Sequence, residues 1–410
     1  MGKLALLGGE PVRKKPFTGW PQFDEVEIDN LKKVLDSKRW FPGMMGSEPG
    51  TRVWEFEEKF ASFHGVKFAS AVSSGAAALE VSLKALGIGE GDEIIIPAYT
   101  FVATATAVLQ VGAIPVVVDI EPETLCIDPV KIKEAITKKT KAVIPVHFAG
   151  QIANMPEIIQ IAKEHNLKVI EDAAHAAGAM RFGKRAGSFG DTGCFSFQES
   201  KVMTSGEGGV ITTNDEKIWR ETRSLRSCGR HENRPWYEHF KLGWNYRLSE
   251  FQAAILLAQL ERLQDQIERR EENARYLTER ISEIPGISHP RDFSSQTECH
   301  SYYYYVFLYQ PKEFKGISRD LFVKALRAEG IPAEVTYIPI PDVPMFKEKK
   351  YPFKDMGCPK TKEIASQIAV FMHQVLLGTR EDLDDIIKAI VKIKENITEL
   401  ETGRYLFVKN

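Results

Sequence analysis

Between residues 66 and 212 the chain repeats one unit, a short apolar run followed by a stretch of helical period. The apolar runs are VKFASAVS (66–73), DEIIIP (92–97), IPVVVDI (114–120), KAVIPVHF (141–148), LKVIEDAA (167–174), GCFSF (193–197) and GGVITT (208–213). Several are rich in Val and Ile and apolar on both faces, as in strands covered by helices on both sides. Helices fit between them at 76–86, 101–111, 128–138 and 153–165, the third opened by Asp128-Pro129, a capping residue followed by proline at the first helical position. Such alternation predicts an α/β domain with a mostly parallel sheet, because parallel strands need a crossover between them.

The second half reads differently. Residues 249–284 predict one long helix rich in Glu and Arg, and a loop follows around Gly286 and Pro290. YYYYVFLY (302–309) predicts a strand, 318–329 a helix, and 332–338 an extended piece. The proline-bearing stretch 339–360 predicts loop, and helices are expected at 360–373 and 380–396. At roughly 100–200 residues per domain, 410 residues hold two or three. The expected division is an N-terminal segment (1–55) packing on the body, a large α/β domain (56–260), a smaller C-terminal α+β domain (261–400), and a tail (401–410) that ends in GRYLFVKN.

Composition narrows the function. A net charge of −2 gives no electrostatic case for nucleic acid or an anionic membrane. No stretch approaches the roughly 18 unbroken apolar residues of a membrane helix, and the N-terminal apolar run is too short for a signal peptide. Cys126, Cys194, Cys228, Cys299 and Cys358 form no C-x-x-C pair, which argues against a disulfide framework and a thiolate metal site and favours a reducing cytoplasm. Gly87, Gly89 and Gly91 follow a helix and precede a strand, so the dinucleotide-binding context is absent.

The chemistry-bearing residues cluster between 171 and 209. Glu171-Asp172-Ala173-Ala174-His175 stands at a strand end, Ser196-Phe197-Gln198-Glu199-Ser200-Lys201 follows a later strand, and Gly206-Glu207-Gly208-Gly209 closes the group. Ligands bind at strand ends in such sheets. A lysine amine can form a Schiff base with the aldehyde of pyridoxal phosphate (PLP), and an aspartate can keep that cofactor's ring nitrogen protonated. Singly, each feature has a plainer use: Asp172 as a helix cap, Lys201 as a solvated charge, and the glycines as a hairpin turn.

Taken together, the sequence resembles the DegT/DnrJ/EryC1/StrS aminotransferases, of the aspartate aminotransferase-like PLP fold type I, over residues 5–396. FSFQESKVMTSGEGG (195–209) carries the resemblance most specifically. It implies that Lys201 is the Schiff-base lysine, that Asp172 pairs with the ring nitrogen and that His175 lies near the cofactor's phenolic oxygen. It implies a phosphate cradle of Ser73-Ser74-Gly75-Ala76-Ala77 together with Ser196. Many relatives have Thr where this chain has Ala76, so backbone amides must do more of the holding here. Phe101 matches the aromatic that stacks on the ring, and Asn245 in GWNYRLSE matches a residue that reaches the phosphate of a neighbouring subunit, which implies a homodimer with shared active sites. His175 and Phe101 could instead be core residues, Asp119 a site contact or a cap, and Arg247 an anion-orienting residue or part of an interface ion pair.

The resemblance further implies transfer of an amino group from L-glutamate or L-glutamine to a ring ketone, on a scyllo-inosose-like cyclitol or a nucleotide keto-sugar. Pro341 stands where many nucleotide-sugar members have His, and HQVLLG (373–378) is similar to the cyclitol-type members. His373 is therefore a candidate for contacting the acceptor or the phosphate region, with structural capping as its alternative. Two other readings stay open: a different PLP reaction, such as a lyase or dehydratase, and a regulatory PLP-binding protein.

Overall fold

The computed structural model describes residues 3–290 and 297–402. Helices α1 (Glu25–Ser37) and α2 (Arg52–His64) open the chain and pack on the long helix Glu250–Ser282. The alternating region then gives β1 (Phe68–Val72), α3 (Gly75–Ala85), β2 (Glu93–Pro97), α4 (Ala103–Gln110), β3 (Ile114–Val118), α5 (Pro129–Ala135), β4 (Thr140–Val143), α6 (Met155–Glu164) and β5 (Lys168–Asp172). A small hairpin, β6 (Met180–Arg181) and β7 (Lys184–Arg185), precedes β8 (Thr192–Ser196) and β9 (Gly209–Thr213). Helix α7 (Glu216–Arg226) and the long helix, α8, follow.

The expected sheet is present. Eight strands run in the order β1-β9-β8-β5-β4-β2-β3 and then Lys354–Asp355, with β9 antiparallel to both its neighbours and the pairings from β8 onward parallel. Alternate residues serve opposite faces: Ile95, Val116 and Val169 join one buried core, whereas Ile94, Val117 and Ile170 join another. Strand β4 is shorter than the sequence suggested, because Pro145 has no N–H to continue the ladder. Asp128 caps α5 as expected, accepting from the Val130 N–H at 2.8 Å.

The C-terminal part contains β10 (Ile287–Ser288), β11 (Thr297–Cys299), β12 (Tyr304–Tyr309), α9 (Arg319–Ala328), β13 (Ala333–Glu334), α10 (Pro344–Lys347), β14 (Lys354–Asp355), α11 (Pro359–Ala365), β15 (Ile368–Met372), α12 (Arg380–Glu395) and α13 (Ile397–Thr402). Here the structure departs from three expectations. The helix expected over 360–373 stops at Ala365, and Ile368–Met372 is the strand between β12 and β13 in a four-stranded sheet. A five-residue apolar run is ambiguous in period, and its pairing on both sides decides it. The stretch expected to be loop at 339–360 includes β14, which extends the large sheet beside β3. The expected boundary at residue 260 falls inside α8, a continuous helix of 33 residues. Residues 401–402 end α13; the rest of the tail, 403–410, lies outside the described residues.

A buried ion pair ties the N-terminal helices to the large sheet. Arg226 is fully buried and donates to Glu57 Oε1 at 2.5 Å, to the Ala71 carbonyl at 2.6 Å and to Ser47 Oγ at 2.8 Å. Glu57 also accepts from the Ala71 N–H at 2.7 Å and from Ser47 Oγ at 2.6 Å. Removing one partner leaves the other charge buried and uncompensated. Glu57→Ala is expected to destabilise the fold by about 3–5 kcal/mol in urea unfolding. Replacing Glu57 and Arg226 together by Met should recover most of that loss.

Candidate active site

The carboxyl ends of the strands converge on one cavity of about 320 Å³. Its lining includes Ser74, Gly75, Ala76, Phe101, Asp172, His175, Ser196 and Lys201, so the fold gathers eight of the expected residues around one space. Three further expected residues, Asn245, Arg247 and His373, do not line it.

Strand β1 feeds directly into the N-terminus of α3. Ser74 caps that helix, its Oγ accepting from the Ala77 N–H at 3.1 Å. The amides of Gly75 and Ala76 lie ahead of that bond at the cavity wall, where a helix N-terminus favours an anion. Gly75 is required by close approach: a methyl group there would lie 2.7 Å from Ser196 Cβ. This pinch brings the Ser196 hydroxyl beside the helix end.

Asp172 ends β5 and is buried. Thr104, in the first turn of α4, donates to its Oδ2 at 2.8 Å, and Thr100 lies 2.8 Å from Thr104 Oγ1. The Ala174 N–H reaches Oδ1 at 3.2 Å. Because Thr104 gives its proton to the carboxylate, it accepts from Thr100, and the chain of hydroxyls fixes the carboxylate's orientation. Burial pushes the Asp172 carboxyl above its ordinary value, partly offset by Thr104, by the Ala174 amide and by the charge of Lys201. Glu171 points elsewhere and braces a loop, accepting from the amides of Gly187, Phe189 and Gly190 and meeting His147 at 2.9 Å.

Lys201 follows a tight turn after β8, its N–H donating to the Gln198 carbonyl at 2.9 Å. Its Nζ lies over the Tyr303 ring, 4.3 Å from the centroid. The Tyr303 ring also stacks on His175 at 4.1 Å, and its hydroxyl lies 3.0 Å from Ser200 Oγ. His175 Nδ1 accepts from the Ala149 N–H at 3.3 Å, so in the neutral ring the proton sits on Nε2, 3.1 Å from the Tyr337 hydroxyl. Burial, with a smaller contribution from Lys201, holds His175 well below its usual range and therefore neutral. Phe101 is 53% exposed, on the cavity wall.

The remaining expected residues have other surroundings. Asn245 is exposed on a segment that pairs with Ser227 and whose Tyr246 carbonyl accepts from the Ser73 N–H at 2.8 Å. Arg247 donates to Ser227 Oγ at 3.1 Å and lies over the Phe41 ring at 5.5 Å. His373 is fully buried, with Nε2 3.0 Å from the Ser200 carbonyl. Asp119 takes its capping alternative, accepting from the amides of Lys360 and Thr361 at the start of α11.

Sequence reasoning gave no site role to Thr104, Tyr303, Tyr304 and Tyr337, and it named Gln198 and Ser200 only as part of the run leading to Lys201. Thr104 lacks any motif, although its place one turn into a helix facing a strand-end Asp was a usable signal. The tyrosine run showed a strand, but Tyr302 has φ of +50°, which breaks the alternation just before Tyr304. Tyr303, just ahead of β12, and Tyr304, its first residue, both line the cavity.

The donor set suits PLP. An anion cradle, an amine and a buried carboxylate bound one aromatic-walled space, matching a phosphate, an aldehyde and a protonatable ring nitrogen. This fold and site define a pyridoxal-phosphate-dependent enzyme of fold type I. Residues 21–391 match the DegT/DnrJ/EryC1/StrS aminotransferase family, and the chain belongs to it. It is a PLP-dependent aminotransferase.

Among its relatives, the L-glutamine:2-deoxy-scyllo-inosose aminotransferase of Micromonospora echinospora is 36% identical, over 98% of this chain and 100% of that protein. The L-glutamine:scyllo-inosose aminotransferase of Streptomyces griseus is 34% identical, over 97% and 99%. Among solved structures, 3-amino-5-hydroxybenzoic acid synthase superposes with a TM-score of 0.86 at 33% identity, covering 93% of this chain and 100% of that one. DesI, solved in the presence of its TDP-sugar product, gives 0.84 at 29%, covering 98% and 97%.

Asp172 gives a test of sign. Its carboxyl is raised on folding, so the folded state binds more protons than the unfolded one between the ordinary and the raised value, and stability falls as pH rises through that window. In the cofactor-free protein, Asp172→Asn is therefore expected to raise Tm at neutral pH. That gain should vanish as pH falls below the ordinary carboxylate value of 3.8, checked by calorimetry across pH.

Proposed function

We propose that this enzyme transfers the amino group of L-glutamine or L-glutamate to the ketone of a cyclitol related to scyllo-inosose. The observation that carries this reading is the lining of the cavity. Tyr303, Tyr304, Tyr337, Gln198 and Ser200 offer hydroxyl and amide partners suited to a polyol, and Lys201 is the one Lys or Arg among the described lining residues. A diphosphate-linked sugar calls for cationic clamps. The cyclitol substrates named for the two curated relatives point the same way.

Bound PLP supplies an electron sink and a carrier for the amino group. Gly75, Ala76 and Ser196 would hold its phosphate, and Phe101, on the cavity wall, would pack against its ring. Asp172, oriented by Thr104, would keep a proton on the ring nitrogen. Lys201 Nζ takes the α proton of the donor and later returns a proton to the acceptor carbon. His175 and Tyr337 fix the hydrogen-bonding edge beside it.

Two copies complete the site in this reading. Asn245 is exposed beside the α3 cradle, where it would serve a neighbour's phosphate. Trp236, Tyr237 and Leu242, exposed by 64%, 74% and 90%, are large apolar side chains on one segment, available for burial against a second copy. The five thiols, four of them buried, fit a reducing cytoplasm. Among the described residues no helix is long and apolar enough to cross a membrane.

Single-turnover amination tests the substrate. The protein is converted to its pyridoxamine form with glutamine, freed of donor, and offered scyllo-inosose or a TDP-linked keto-sugar. Return of the visible band of the lysine-bound cofactor with the cyclitol alone is expected. Return with the TDP-sugar alone would overturn the proposal, and failure of glutamine and glutamate to generate the pyridoxamine form would indicate a different PLP reaction. Lys201→Ala should abolish turnover.

A further inference from the structure

The turn that delivers Lys201 is gripped from outside by two residues that do not line the cavity. Trp20, from the N-terminal arm, donates its indole N–H to the Glu199 carbonyl at 2.7 Å. His373, at the end of β15 in the smaller sheet, places Nε2 3.0 Å from the next carbonyl, that of Ser200. A carbonyl can only accept, so Nε2 carries the proton. Burial holds His373 well below its usual range, which leaves the ring a neutral donor. The two side chains also meet each other edge to face at 4.4 Å. Two consecutive carbonyls ahead of Lys201 are thus held by two distant parts of the chain, while the lysine's own N–H closes the turn on Gln198.

We propose that Trp20 and His373 are positioning residues for Lys201, setting the reach of its amine during proton transfer. The inference rests on Lys201 acting as the proton-transferring lysine. A peptide plane released from either grip can rotate and carry the Cα of Lys201 with it, and a misplacement on the order of 1 Å can cost about 100-fold in rate. Neither residue touches substrate, so the effect belongs in kcat and not in KM. The two act on one turn, so their effects should not add.

The experiment uses the PLP-loaded enzyme with Trp20→Phe, His373→Phe, His373→Gln and the Trp20→Phe/His373→Phe pair. Trp20→Phe and His373→Phe should each lower kcat by about 10- to 100-fold with KM for the amino donor unchanged. The isotope effect with α-deuterated glutamine should rise as proton transfer becomes slower. His373→Gln, which keeps an N–H donor, should recover most of the rate, and the pair should fall less than the product of the single losses. Trp20 is half-buried in the arm, so its variant keeps the test open if the buried His373 position does not tolerate Phe. An isotope effect equal to that of the parent enzyme, a change in KM alone, or equal behaviour of His373→Phe and His373→Gln would overturn the proposal. An α-deuterium effect in the parent enzyme with none of these changes in the variants would leave the role of Lys201 standing and remove only the grip.

Discussion

The site depends on keeping one carboxylate charged where water is excluded. Asp172 stands at the end of a central strand, buried except where it faces the cavity, and burial disfavours its anionic form. Thr104, the Ala174 amide and the nearby Lys201 offset part of that cost. A cationic partner placed against it gains a strong interaction in low dielectric, the condition for holding a proton on a pyridine ring. The rest of the architecture serves this arrangement. The parallel sheet brings Asp172, the α3 cradle and the end of β8 to one edge, and Gly75 allows the last two to touch.

The large sheet was legible because its strands are apolar on both faces and the helices between them are short, two of them (α3 and α5) capped by Ser74 and Asp128. The lysine and its aspartate were legible for a different reason: their order and spacing resemble one family. What the sequence hid was set by distant pairing. Ile368–Met372 has no period that separates strand from helix, and its two neighbours in the sheet lie more than thirty residues away. Tyr337 could not be placed from the sequence, since its contact with His175 spans 162 positions. Thr104 sat inside a correctly expected helix with nothing to mark it.

His373 was singled out by resemblance as a candidate for the acceptor or phosphate region, and it does not line the cavity. The His-Gln-x-Leu-Leu-Gly run drew notice as a mark of the acceptor. In the structure the imidazole is sealed behind the Lys201 turn, against Trp20. A residue conspicuous in the sequence can thus lie behind the backbone that carries the site, with no atom in the cavity lining.

The short strand β14 is easily overlooked, since it contributes only Lys354 and Asp355. It closes the edge of the large sheet, pairing with Val116 and Val117 of β3. Because it comes from the chain beyond β12 and β13, the two halves are stitched together and cannot be separated as modules. A fragment ending before residue 354 would leave an apolar, five-residue strand with open amides and carbonyls, a template for adhesion between copies. During synthesis this edge emerges long before its cover, so the nascent protein must stay unaggregated until nearly the whole chain has been made.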